Sequence, residues 1–87
     1  MAAYELIFRK SVAKDLRGIP KRDLQRILKR IDALASDPRP AGAEKLSGSG
    51  LHRVRQGQYR ILYEIHDEHL VVIVIAAGHR REIYRGL

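Results

Sequence analysis

The sequence predicts an α+β domain of order β-α-α-β-β-β, an antiparallel sheet with a helical hairpin packed on one face. Three observations lead there. An early amphipathic stretch repeats its apolar residues with helical spacing. The second half holds three short strand-like runs separated by turn residues. A chain of 87 residues has room for one modest core, so residues 1–87 are expected to form a single domain.

The elements follow in order. Tyr4-Glu5-Leu6-Ile7-Phe8-Arg9 alternates as a strand, with Tyr4, Leu6 and Phe8 on one face. Ser11 is placed to cap a short helix ending near Arg17, with Val12, Ala13 and Leu16 inward. Gly18-Ile19-Pro20 breaks it, and Pro20 suits the first turn of a second helix. From Leu24 that helix places Ile27, Leu28, Ile31, Leu34 and Ala35 at offsets of 3, 4, 7, 10 and 11, one continuous face. Lys21, Arg22, Arg26, Lys29 and Arg30 form its outer face, which reads first as solvated surface. Asp37-Pro38-Arg39-Pro40 stops the helix, because residues preceding proline are pushed out of the helical region. Residues 41–50 read as a loop. Strands follow at Leu51 to Arg55, Tyr59 to His66 and Leu70 to Ala77, with Gly57 and Asp67-Glu68 at the turns. Short turns force antiparallel neighbours, and the third run, apolar on both faces, is expected inside the sheet.

Composition narrows the function classes. Lys+Arg number 17 against 10 Asp+Glu, a formal net charge of +7, which favours a polyanionic or acidic partner. The longest apolar run, Leu70 to Ala77, is far shorter than the roughly 20 residues of a membrane-spanning helix. Residues 1–9 lack the basic start and apolar stretch of a secretion signal. There is no cysteine, so disulfides, thiolate nucleophiles and cysteine metal sites are excluded. The four histidines show no metal-ligand spacing, and no metal or cofactor is expected. A reducing cytoplasmic setting is compatible with all of this.

The arginines of the last third point further. His52, Arg53, Arg55, Arg60, His79, Arg80, Arg81 and Arg85 fall on or at the ends of the predicted strands, with Tyr59, Tyr63 and Tyr84 interleaved. Guanidinium groups on a rigid sheet attract phosphate, because each stays charged and donates two parallel hydrogen bonds. Aromatic rings beside them can stack on bases. An RNA-handling site is therefore expected; the competing reading is a set of solvated arginines on a basic protein. Arg60 can also be the ion-pair partner of Glu64. Arg53 and Arg55 share a face by strand alternation, and His52 points away from it. His66 and His69 flank a turn and are expected in solvent.

Leu46-Ser47-Gly48, the run Arg53 to Ile65, Gly78-His79-Arg80 and Tyr84-Arg85 together resemble the RelE/ParE superfamily of toxin–antitoxin toxins, closest to its RelE branch. Asp37-Pro38-Arg39-Pro40 before Lys45-Leu46 and the Phe8 to Leu16 opening fit the same pattern. The resemblance implies a metal-independent mRNA endonuclease that depends on the ribosome and cuts by attack of the RNA's own 2′-OH. It also implies a cognate antitoxin partner, operator DNA contact only through that antitoxin, and no membrane partner. It places Arg53, Arg60, Arg80 and Tyr84 at catalytic positions and makes Arg55 a further basic position on the Arg53 face. Lys45, Arg81 and Arg85 are candidate RNA contacts. Leu51 departs from the pattern, since a lysine that assists 2′-OH activation often stands there. His79 is then a candidate base, having an ordinary pKa of about 6.5. A ParE-like toxin binding DNA gyrase, and an inactive homologue serving as antitoxin-bound co-repressor, remain as alternatives. No long helix follows Tyr84 in this sequence, so inhibition by displacing one is not expected.

Overall fold

The computed structural model describes residues 3–79. It contains β1 (Glu5–Phe8), α1 (Lys10–Arg17), α2 (Lys21–Ala33), β2 (Glu44–Lys45), β3 (His52–Gln56), β4 (Tyr59–His66), a 3₁₀ turn (Asp67–His69) and β5 (Val71–His79). One five-stranded sheet runs in the order β1-β5-β4-β3-β2. The α+β architecture and the interior position of β5 agree with the sequence reading.

Several local expectations do not hold. The sheet is mixed rather than antiparallel, because β1 lies parallel to β5, Glu5 opposite Val71 through Phe8 opposite Val74. Tight turns impose antiparallel order only from β2 onward; two helices intervene after β1 and free it to pair either way. Glu44–Lys45, expected in a loop, adds a short edge strand to β3. Ser11 does not cap α1: Arg9 holds the N-cap position and makes no side-chain capping bond. Pro20 sits just before α2, at its N-cap, rather than in its first turn.

Both helices cover one face of the sheet, α1 over β5 and α2 over β3 and β4. Their apolar residues Val12, Ile27, Ile31 and Leu34 close a core against Val54, Ile61, Tyr63, Val72, Val74 and Ala77. Burying a side chain of this size stabilises by about 1.5–3 kcal/mol. Leu28 and Phe8, each placed by periodicity on the apolar face of its element, remain 40% and 44% exposed at the margin between α2 and edge strand β1. Beyond Val74, β5 has no β1 partner, and Asp15 of α1 accepts the Ala77 amide there at 3.4 Å.

Among the described residues the opposite face carries no helix. A small second cluster of Leu51, Leu62 and Ile75, with Leu46, Ile73 and Ala76 packed around it, covers its middle. Leu51 is thus a core residue, and its apolar character is explained by packing. The β3–β4 hairpin closes through Gly57-Gln58, with φ +60° at Gly57, a left-handed conformation that glycine adopts without strain.

Register decides the faces of β5. Leu62 pairs with Ala76 and Tyr63 with Val74, leaving Ile75 as an extra residue in a β-bulge. Ile75 and Ala76 consequently both lie with the helix-free cluster, and alternation resumes shifted by one.

Two polar contacts tie the long connections to this frame. The buried Tyr63 hydroxyl donates to the Pro38 carbonyl at 2.7 Å, and burial pushes its pKa up to about 12. Asp67 accepts from the Tyr4 hydroxyl at 2.6 Å and from both Arg39 amino groups at 3.1 and 2.8 Å. These bonds, from Arg39 first and then Tyr4, hold the Asp67 pKa down to about 2 from 3.8. Tyr63→Phe should destabilise the fold by about 1–3 kcal/mol, because the Pro38 carbonyl loses its donor, as read by denaturant unfolding near neutral pH. A carboxyl with a depressed folded pKa contributes stability above its unfolded pKa and loses it as pH falls through the folded one. The parent protein should therefore lose stability between pH 3.8 and about 2, and Asp67→Asn should flatten the acid-unfolding curve across that window.

Candidate nucleic-acid interface

Strand alternation brings Arg53, Arg55 and Arg60 onto the helix-free face. Arg53 is opposite Leu62, and Arg55 is directly opposite Arg60. Gly78 of β5 lies on the other side of Arg60 and projects no side chain over it. Like charges directly opposite on neighbouring strands destabilise a sheet. Among the described residues no carboxylate pairs with Arg60; Glu64, the expected partner, instead contacts His66 Nε2 at 2.9 Å.

Glu44 is a site residue that the sequence alone did not reveal. It is paired with Arg53 across β2–β3 and so shares the arginine face. Its Oε2 accepts from Arg53 Nη2 at 2.6 Å, and its Oε1 lies 3.9 Å from Arg55 Nη2. The Arg53 side chain is only 15% exposed, so the carboxylate neutralises a guanidinium that is largely withdrawn from water. Nothing in the local sequence marks Glu44 for this role, since its strand is two residues long.

Other candidates fall elsewhere. Lys45 pairs with His52, which pairs with Tyr63, so all three occupy the helix-side register and Lys45 does not join Arg53. His52 packs on the Tyr63 ring at a centroid distance of 5.7 Å. Burial first, then the charges of Arg39 and Lys45, lower its pKa and favour the neutral ring. Tyr63 is fully buried and Tyr59 faces the helices, so neither offers a stacking surface on the arginine face. His66 and His69 are exposed, as expected.

His79 also parts from the arginines. The bulge shift sets it opposite Tyr59, on the helix side, while Gly78 takes the place beside Arg60. Its ring meets Tyr59 edge-to-face at 6.0 Å and 86°. Its strand position thus lies on the face opposite that of Arg55 and Arg60. Arg80, Arg81, Tyr84 and Arg85 lie outside the described residues. Among the described residues no three His, Asp or Glu side chains are grouped to hold a metal, and no helix is long and apolar enough to cross a membrane.

Residues 6–84 match the family model of the ParE toxin of the type II toxin–antitoxin system parDE. The chain belongs to the RelE/ParE superfamily of toxins. It is 32% identical over 84 residues to toxin RelG of Mycobacterium tuberculosis, covering 94% of this chain and 97% of that one. Its fold superposes with a TM-score of 0.82 on the RelBE2 toxin–antitoxin complex of the same organism, at 29% identity over 94% of this chain and 97% of that chain. The archaeal RelE–RelB complex from Pyrococcus horikoshii gives a TM-score of 0.80 at 31% identity, with 94% and 99% covered. The helix-free arginine face is therefore a surface of a RelE-family toxin.

Glu44→Ala should lower stability, because the Arg53 guanidinium, largely withdrawn from water, loses a carboxylate partner. It should tighten binding of single-stranded RNA and steepen its salt dependence, since the Glu44 carboxylate no longer competes with phosphate for Arg53 and Arg55. A salt titration of oligonucleotide affinity, with unfolding curves alongside, measures both effects.

Proposed function

We propose that this toxin is a metal-independent endoribonuclease that cuts mRNA on the ribosome. The observation that carries the reading is the pair Arg55 and Arg60, held directly opposite one another beside Arg53 on the sheet face that neither α1 nor α2 covers. In the proposed reaction the RNA 2′-oxygen attacks the adjacent phosphorus. The new 2′-O–P bond forms, the P–O5′ bond breaks, and a 2′,3′-cyclic phosphate results. The 2′-OH proton leaves to a base, and the 5′-oxygen takes up a proton as it departs.

The arginines supply charge stabilisation. A pentacoordinate phosphorane carries more negative charge on its oxygens than the diester, and fixed guanidinium donors bind it more strongly for that reason. Arg60, without an internal carboxylate among the described residues, is available to the non-bridging oxygens. Arg53 and Arg55 draw in the flanking backbone as phosphate displaces Glu44. In this reading Arg80 adds a further cation, and Tyr84 takes the proton-transfer role that Leu51, buried in the helix-free cluster, cannot fill. The remaining candidates, Arg81 and Arg85, would contact RNA near the chain's C-terminal end. The ribosome positions the substrate, since the arginine face presents cations without an adjacent acid–base pair.

Relatives in M. tuberculosis and P. horikoshii are seen as toxin–antitoxin complexes. We infer that an antitoxin segment with acidic side chains covers the arginine face here, and that operator DNA is contacted only through it. Opposite charge also speeds such an association. The match to a ParE family model favours one other reading, a toxin that binds DNA gyrase without nuclease chemistry.

Primer extension on translated mRNA separates the two. Codon-linked cuts support the nuclease; gyrase-linked DNA breaks with intact mRNA replace it. Arg60→Ala should retain its circular dichroism and lose toxicity, with cleavage slowed by on the order of 10²–10³. The pure protein should not cut naked RNA efficiently; rapid cleavage without ribosomes would show that the site is complete on its own.

A further inference from the structure

A second recess lies around the corner from the arginine face. The tip of the β3–β4 hairpin and the first turns of α2 enclose a cleft of about 320 Å³, lined by Asp23, Arg26, Gln56, Gln58, Tyr59 and His79. That volume is at the lower end of small-ligand sites, roughly 300–1,000 Å³. Tyr59 and His79 form one wall, their rings perpendicular at 86°. The Tyr59 hydroxyl donates to Asp23 Oδ2 at 3.3 Å. Burial, then the Asp23 charge, raises the phenol pKa, which keeps the hydroxyl a donor.

The remaining lining selects the ligand. Gln56 and Gln58 each carry a carbonyl acceptor and an amide donor on one planar group, the pattern that pairs with the mixed donor–acceptor edge of a nucleobase. Arg26 is exposed at the rim, where its guanidinium plane can cover a flat ring. An aliphatic ligand would leave these amides to water alone, and a bare phosphate would meet the Asp23 carboxylate. A flat heteroaromatic ring with a polar edge satisfies the wall and the amides together.

Position links this cleft to the arginines. Tyr59 and Arg60 are consecutive on β4 and point to opposite faces, as do Gly78 and His79 on β5. A strand of RNA with a phosphate on Arg55 and Arg60 has only to pass the hairpin tip for a neighbouring base to enter the cleft. We propose that this cleft is a nucleobase subsite, taking one unpaired base adjacent to the phosphate held by the arginine face and favouring some bases over others there. The proposal rests on the RNA-binding reading of the arginine face, but not on catalysis.

The test uses the folded full chain and NMR titration with the four nucleoside 5′-monophosphates, with ribose 5-phosphate as the base-free probe. Nucleotides should shift the His79 and Tyr59 ring signals and the Gln58 side-chain amide, with different affinities for different bases; ribose 5-phosphate should leave those signals in place. Gln58→Ala and Arg26→Ala, both at exposed positions, should weaken the favoured nucleotide by on the order of tenfold without changing ribose 5-phosphate binding. On programmed ribosomes Gln58→Ala should broaden the codon preference. Equal shifts from ribose 5-phosphate, or unchanged nucleotide affinity in both variants, would overturn the subsite. Base-selective binding by a protein that leaves mRNA uncut would keep the subsite and remove the nuclease.

Discussion

A single extra residue in β5 governs which side chains of this sheet can meet the same ligand. Period-two alternation running on from Val72 and Val74 would carry His79 to the face of Arg53, Arg55 and Arg60. The bulge at Ile75 reverses that parity. It seats Ile75 and Ala76 side by side against Leu51 and Leu62, returns Ala77 to the helix-side core, and turns Gly78 toward Arg60. One inserted residue thus strips a histidine from the arginine face and, among the described residues, sets only a glycine beside Arg60 on β5. The same shift builds the Tyr59–His79 wall on the other side.

The two faces then do different work. Helices α1 and α2 cover one of them, and the core closed between helices and strands there holds most of the apolar burial, which is where the stability of so small a domain must come from. The other face needs only a three-residue apolar patch and is free to carry charge. Cross-strand repulsion between Arg55 and Arg60 is tolerated because the opposite face already holds the strands in place. Glu44 offsets part of the charge in the unbound protein. Its bond is exposed at the carboxylate end, so a polyanion with several phosphates can replace it.

Rigidity at the far end of the sheet serves the same purpose. The connection from α2 to β2 is long, and its middle is held by a buried phenol and by the Arg39–Asp67–Tyr4 network. These bonds join the start of β1, the Pro38–Pro40 segment and the β4–β5 turn. Glu44 reaches Arg53 only because that connection delivers β2 to the β3 edge in a defined register.

The α+β class, both helices, the β4 span and the turn at Gly57 could be read from the sequence, because each rests on local periodicity or on the conformational preference of a single residue. The shared face of Arg53 and Arg55 was legible for the same reason, since alternation within a short uninterrupted strand is a local property. The parallel pairing of β1, the edge strand at Glu44, the burial of Leu51 and Tyr63, and the parting of His79 from Arg60 were not. Each depends on register between segments far apart in sequence, and a bulge is written in the pairing of two strands rather than in either one. The sequence by itself determined a basic toxin domain with arginines on strands. Tertiary structure decided which of those arginines converge, because only inter-strand hydrogen bonding sets the face to which each residue belongs.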